Sequence, residues 1–145
     1  MPTKPVPDDY GAVTSMLIVD GAAQLIEFME KAFGAAQRLR MPMPDGKVAH
    51  AELTIGGEVV MVADATPEYP PLAAGIHLYV ENVDSVYAQA IAAGATKVMA
   101  PTDQFYGDRS ATVRDGFGNL WSIATHTEDV SEAEMMRRMA AMGRS

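Results

Sequence analysis

The sequence has no cysteine. Disulfides, thiolate zinc sites and cysteine nucleophiles are therefore excluded. Basic residues are scarce: 11 Lys and Arg stand against 19 Asp and Glu, a net charge of −8. That balance argues against nucleic acid or an anionic membrane as a partner. Long apolar runs are missing too, so no segment is expected to cross a bilayer. The opening Met-Pro-Thr-Lys-Pro-Val-Pro-Asp-Asp lacks the apolar centre of a signal peptide and reads as a short Pro-rich arm. A cytoplasmic location is expected. No glycine-rich loop stands between a strand and a helix to cradle phosphate, because Gly56-Gly57 has the context of a hairpin turn. Tryptophan occurs once, at Trp121.

What is present is enough for one domain with a sizeable core: 145 residues, 48% of them apolar. Two stretches repeat. Gly57-Glu58-Val59-Val60-Met61-Val62-Ala63 matches Gly118-Asn119-Leu120-Trp121-Ser122-Ile123-Ala124, and Val19-Asp20 matches Val80-Glu81 at the same offset. Around these matches the periodicity predicts one order twice. Ala12 to Val19 reads as a strand, with Asp20 as the cap of a helix that ends at Gly34. Strands follow over Ala36 to Met41, Val48 to Ile55 and Glu58 to Ala63. In the second copy Gly75 to Glu81 is a strand, Val83 to Ala93 a helix stopped by Gly94, and Lys97 to Ala100 starts a strand. The hairpin Ser110 to Arg114, Asp115-Gly116-Phe117-Gly118-Asn119, Leu120 to Thr125 completes it. The fold class is α+β: two tandem βαβββ modules, one at about 10–64 and one at about 73–126, joined by a Pro-rich linker at 65–72. Ser131 and Glu134 form a capping box for a last helix at about 131–142, with Met135, Met139 and Met142 on one face. That face reads either as packed on the domain or as a dimer contact or ligand cover.

Strand parity divides the side chains. Leu17, Val19, Val60, Val62, Ile76, Leu78, Val80, Trp121 and Ile123 face the helices. Thr14, Met16, Ile18, Val59, Met61, His77, Tyr79, Leu120 and Ser122 face the other way, a mixed set suited to a cavity wall. Trp121 is thus expected in the core. His50 and Glu52 share a strand face and read as a polar surface, as pocket-shaping groups, or with His77 as an acid–base or metal cluster. His126 follows a strand end and reads as solvated, as do Arg38 and Arg40. In Tyr106-Gly107-Asp108-Arg109, Gly107 supplies an unusual backbone angle and Asp108 is expected to pair with Arg109 or a nearby amide.

The paired modules, with Tyr-Gly-Asp-Arg at 106–109, Asp-Gly-Phe-Gly-Asn at 115–119 and Trp-Ser-Ile-Ala-Thr-His at 121–126, resemble the vicinal oxygen chelate superfamily and, more narrowly, its PhnB-like branch. That group holds glyoxalase I, bleomycin-resistance proteins and extradiol dioxygenases. The resemblance implies two sheets curved around a cavity, usually in a homodimer. It also implies four metal ligands, from the first and fourth strands of each module. Those positions fall on Thr14, Met61, Gly75 and Ser122, which make poor ligands for a hard or borderline divalent metal. The expectation is a homodimer that binds a small organic molecule through Thr14, His50, Glu52, Met61, His77, Tyr79 and Ser122, with no metal and no other cofactor. The alternative is a metal-dependent lyase, isomerase or dioxygenase using a displaced site of His50, Glu52 and His77.

Overall fold

The computed structural model describes residues 2–143. The order is β1 (Ser15–Val19), α1 (Ala22–Phe33), β2 (Ala36–Pro42), β3 (Val48–Ile55) and β4 (Glu58–Asp64). Then come β5 (Gly75–Tyr79), α2 (Val83–Ala92), β6 (Thr96–Asp103), β7 (Asp108–Arg114), β8 (Leu120–His126) and α3 (Glu132–Met142). The fold is α+β, built from two βαβββ modules. Their sheets have equivalent strand orders, β1-β4-β3-β2 and β5-β8-β7-β6. In each the first strand runs parallel to the fourth and the remaining pairs are antiparallel. In each module the helix carries the chain from the first strand to the far edge of the sheet, and the two following hairpins bring the fourth strand back beside the first in parallel.

One core joins the modules. On the first sheet Leu17, Val19, Leu53 and Val62 are buried beneath Leu25, Ile26 and Met29 of α1. On the second, Ala111, Val113, Trp121 and Ile123 are buried on the corresponding face. The seam is aromatic: the Phe33 ring lies 4.5 Å from the Trp121 ring, centroid to centroid. Trp121 is 0% exposed, so the core expectation for it holds.

Several ends differ from the sequence reading. β1 starts at Ser15, which leaves Thr14 in the segment before it. Asp20 does not cap α1. The N-cap is Gly21 at φ 97, with no side-chain cap of its own. Asp64, at the end of β4, accepts from the amides of Gly21 and Ala22 with one oxygen and from that of Val48 with the other. Gly34 does end α1 in the left-handed conformation, and Ser131 does cap α3 by accepting from the Glu134 amide. α3 buries none of its described residues, and Met136, Met139 and Met142 are exposed. Met135, on the same helix, is half-buried, so the methionine face is only partly open to solvent.

Candidate functional site

The turn that ties the second module together is built on Asp115. Its carboxylate accepts from the amides of Phe117 and Asn119, from the Asn119 side chain and from the Trp121 indole, all within 3.0 Å. Asn119 then uses its side-chain oxygen to accept from the Ala74 amide, just before β5. The hairpin thus fixes both the core tryptophan and the start of the strand that carries His77 and Tyr79.

On the outer face of this sheet a polar chain runs from Ser122 to Asp129. His77 Nδ1 meets Ser122 Oγ at 3.0 Å, and its ring stands edge-on to Tyr79 at 4.7 Å. The Tyr79 hydroxyl donates to Asp108 at 2.7 Å. The other Asp108 oxygen meets His126 Nδ1 at 2.8 Å, and His126 Nε2 meets Asp129 at 2.8 Å. Asp108 is only 4% exposed. Burial pushes its pKa up, but the bonds from His126 and Tyr79 outweigh burial and hold it below the ordinary carboxylate value. The Tyr79 phenol is pushed above its ordinary value, chiefly by donating to Asp108. His126 is pushed up by Asp129 and then Asp108. Only an imidazolium can donate to both carboxylates at once.

Two sequence expectations change here. His126 is not a loose solvated ring but the link between two acids. Asp108 does not pair with Arg109, whose guanidinium is engaged by Asp84 and Asp103. Gly107, at φ 99, fits its expected role, since a Cβ there would strike the Glu128 carbonyl.

The first module carries a second polar group on its outer face. Glu52 lies 3.0 Å from His50 Nε2 and 3.5 Å from the Arg38 guanidinium. The Tyr10 hydroxyl also bonds to it, and that bond, followed by His50, holds the Glu52 pKa down. Arg38 stacks over the Tyr10 ring at 5.5 Å. Arg38 is therefore part of a cluster rather than a solvated charge. Tyr10 stands just after the Pro-rich arm and before the first strand, where nothing in the sequence pattern signalled a site residue.

Clefts lie between the modules along β5. One, of about 910 Å³, runs from Phe33 and Ile55 past Leu78, Tyr79 and Glu81 to His126. Another, of about 460 Å³, holds Thr14, Val59, His77 and Tyr79. Of the seven expected ligand-binding residues, Thr14, His77 and Tyr79 thus line these clefts. Ser122 is behind them, bonded to His77. His50, Glu52 and Met61 line neither cleft. His50 borders a separate pocket of about 270 Å³ with Met16, Ile18 and Tyr69.

The donor set can be tested against a divalent metal. In the parallel ladders Met61 faces Met16 and Ser122 faces His77, while Gly75 faces Leu120. These central positions offer one imidazole, one hydroxyl and two thioethers, a poor match to a metal that wants carboxylates and imidazoles. Among the described residues no three His, Cys, Asp or Glu side chains form a group that could hold an ion. The displaced cluster of His50, Glu52 and His77 is accordingly not assembled within one chain.

The architecture is that of a paired-module βαβββ protein. Residues 11–123 match the family model described as the Glyoxalase/Bleomycin resistance protein/Dioxygenase superfamily, and the chain belongs to that family. An uncharacterised protein of Mycobacterium bovis is 40% identical over 143 residues, covering 91% of this chain and 94% of its own. Among solved structures, TioX from Micromonospora sp. ML1 is 27% identical, with a TM-score of 0.66 over 79% of this chain and 99% of its own. A PhnB protein from Bacillus cereus shares the fold, with a TM-score of 0.66 at 16% identity over 79% of this chain and 99% of its own. No helix among the described residues is long and apolar enough to cross a membrane.

Proposed function

We propose that this protein is a cytoplasmic homodimer that binds a small organic molecule in the cleft between its modules, without the divalent metal its family employs and without another cofactor. The observation that carries this reading is the pairing of Met16 with Met61 and of His77 with Ser122 at the centres of the two parallel ladders. These residues do not compose a metal site. The wall along β5 supports the same reading: apolar Phe33, Leu78 and Val86 alternate with polar Tyr79, Asn82 and Thr125, the mixture that ligand clefts carry.

Elemental analysis and calorimetric titration with zinc, nickel, manganese and ferrous iron test it. The expected result is no stoichiometric metal and no metal affinity tighter than about millimolar. One tight metal per chain, lost in His77→Ala or His50→Ala, would overturn this reading in favour of a metalloenzyme. Sedimentation equilibrium checks the dimer. Titration with a broad panel of organic molecules, followed by backbone amide shifts along β5, checks the binding site.

A further inference from the structure

The larger cleft has a chemical polarity. Its apolar wall is formed by Phe33, Leu78 and Val86. Its polar rim includes Tyr79 and Glu81, and among the described residues no Lys or Arg lines either of the two clefts along β5. The smaller cleft has Glu58 at its edge. Tyr79 is 58% exposed, yet its hydroxyl hydrogen is already committed to Asp108 at 2.7 Å. To a ligand, the phenol can therefore offer only lone pairs and the face of its ring. The basic group at this end of the cleft, His126, is neutralised in place. Asp108 and Asp129 bind its two nitrogens, so two carboxylates surround one imidazolium and the trio is net negative.

From this we propose that the cleft selects an amphiphilic organic ammonium: an apolar or aromatic body against Phe33, Leu78 and Val86, with the cationic donor toward the Tyr79 oxygen and the Glu81 carboxylate. Among the described residues anionic ligands meet no free donor cation there, and neutral ones forgo the charge-assisted hydrogen bond. The assignment rests on the small-molecule reading above and narrows it to one ligand class.

Three probes of similar size separate the possibilities: 2-phenylethylammonium, 2-phenylethanol and 3-phenylpropanoate. Each is titrated into the full chain and followed by amide shifts at Leu78, Tyr79 and Val86. The ammonium is expected to bind at least about tenfold tighter than the alcohol, and the carboxylate weakest. Tyr79→Phe retains the ring and removes the acceptor oxygen. Glu81→Gln removes a charge at an exposed position where folding is not at stake. Each is expected to cut the ammonium-to-alcohol ratio several-fold while leaving the affinity for the alcohol nearly unchanged, a selective loss that general damage to the fold would not give. Equal binding of ammonium and alcohol, or a ratio unmoved by both variants, overturns the ammonium assignment and leaves the small-molecule reading intact. So does failure of all three probes at about 10 mM when another molecule of the broad panel shifts the same amides. Silence of the whole panel along β5 overturns both.

Discussion

Asp115 carries more of the second module than its size suggests. Four donors converge on its carboxylate, and the two side-chain donors, the Trp121 indole and the Asn119 amide group, belong to residues that are 0% exposed. Replacing it with alanine leaves both buried groups without an acceptor. Hydrogen bonds to a charged group are worth about 1.5–3 kcal/mol each, and an orphaned buried donor costs a further 1–3, although these contributions do not add fully. Asp115→Ala is therefore expected to lose roughly 3–5 kcal/mol of unfolding free energy, read by urea titration of the Trp121 fluorescence. A loss below about 1 kcal/mol would mean that water replaces the carboxylate at little cost. His126 makes a prediction of different form. Its pKa is raised on folding, so its stabilising effect is complete below the unfolded value of about 6.5 and fades as pH rises through the higher folded value. The wild type should exceed His126→Gln in stability most clearly between about pH 5 and 6, with the margin shrinking toward pH 9. Below that window Asp108, whose folded pKa is depressed, begins to protonate and the partnership weakens from the acid side. A margin that grows with pH would contradict the two-carboxylate arrangement.

At the scale of elements, α1 is started by a residue from another strand. Asp64 closes β4, yet it satisfies the first two amides of the α1 turn and the amide that begins β3. Burial disfavours its charge, but the amides of Ala22, Val48 and Gly21 more than compensate and hold its pKa down. Asp64→Ala is expected to cost about 2–3 kcal/mol, whereas Asp20→Ala, at an exposed position, should stay within about 0.5. Thermal melts of the two variants side by side decide between the tertiary cap and the local one. The pair also shows what sequence pattern can reveal. Periods of 2 and 3.6, glycine stops and the Asp-Gly turn depend on neighbours in the chain, so the order of strands and helices, the buried Trp121 and the Ser131 cap were all legible. Asp64 and Val48 are far apart in sequence and adjacent only after β3 pairs with β4. The same limit hid the site. Tyr79, Asp108 and His126 lie on β5, β7 and β8, and only the ladder of the second sheet brings the three polar side chains together. Thr14, His77 and Tyr79 were recognisable as outward-facing residues. That they line clefts which His50, Glu52 and Met61 do not reach follows from how two sheets are placed, for which no periodicity exists.

At the scale of the whole molecule, cohesion is unevenly distributed. The modules meet where α1 packs on α2 and Phe33 lies on Trp121, whereas α3 has no fully buried residue. α3 is tied to the preceding chain by Arg138, which donates to the Phe105 carbonyl and pairs with Glu128. Partly exposed ion pairs of this kind contribute about 0–1 kcal/mol. An 11-residue helix with no fully buried residue also has little intrinsic stability in water. Ending the chain at Val130 is therefore expected to change the unfolding free energy by no more than about 1 kcal/mol at concentrations where the protein is monomeric. Phe33→Ala, a single side chain at the seam, should cost about 2–3 kcal/mol because it opens a gap against Trp121 that the packed modules cannot close. If the modules depend on one another, the Phe33 variant will still unfold in one transition with an unchanged denaturant slope. Two transitions would show that each βαβββ unit stands alone and that the clefts along β5 lie between separable bodies. A truncation more costly than the Phe33 variant would instead make α3 part of the cooperative unit.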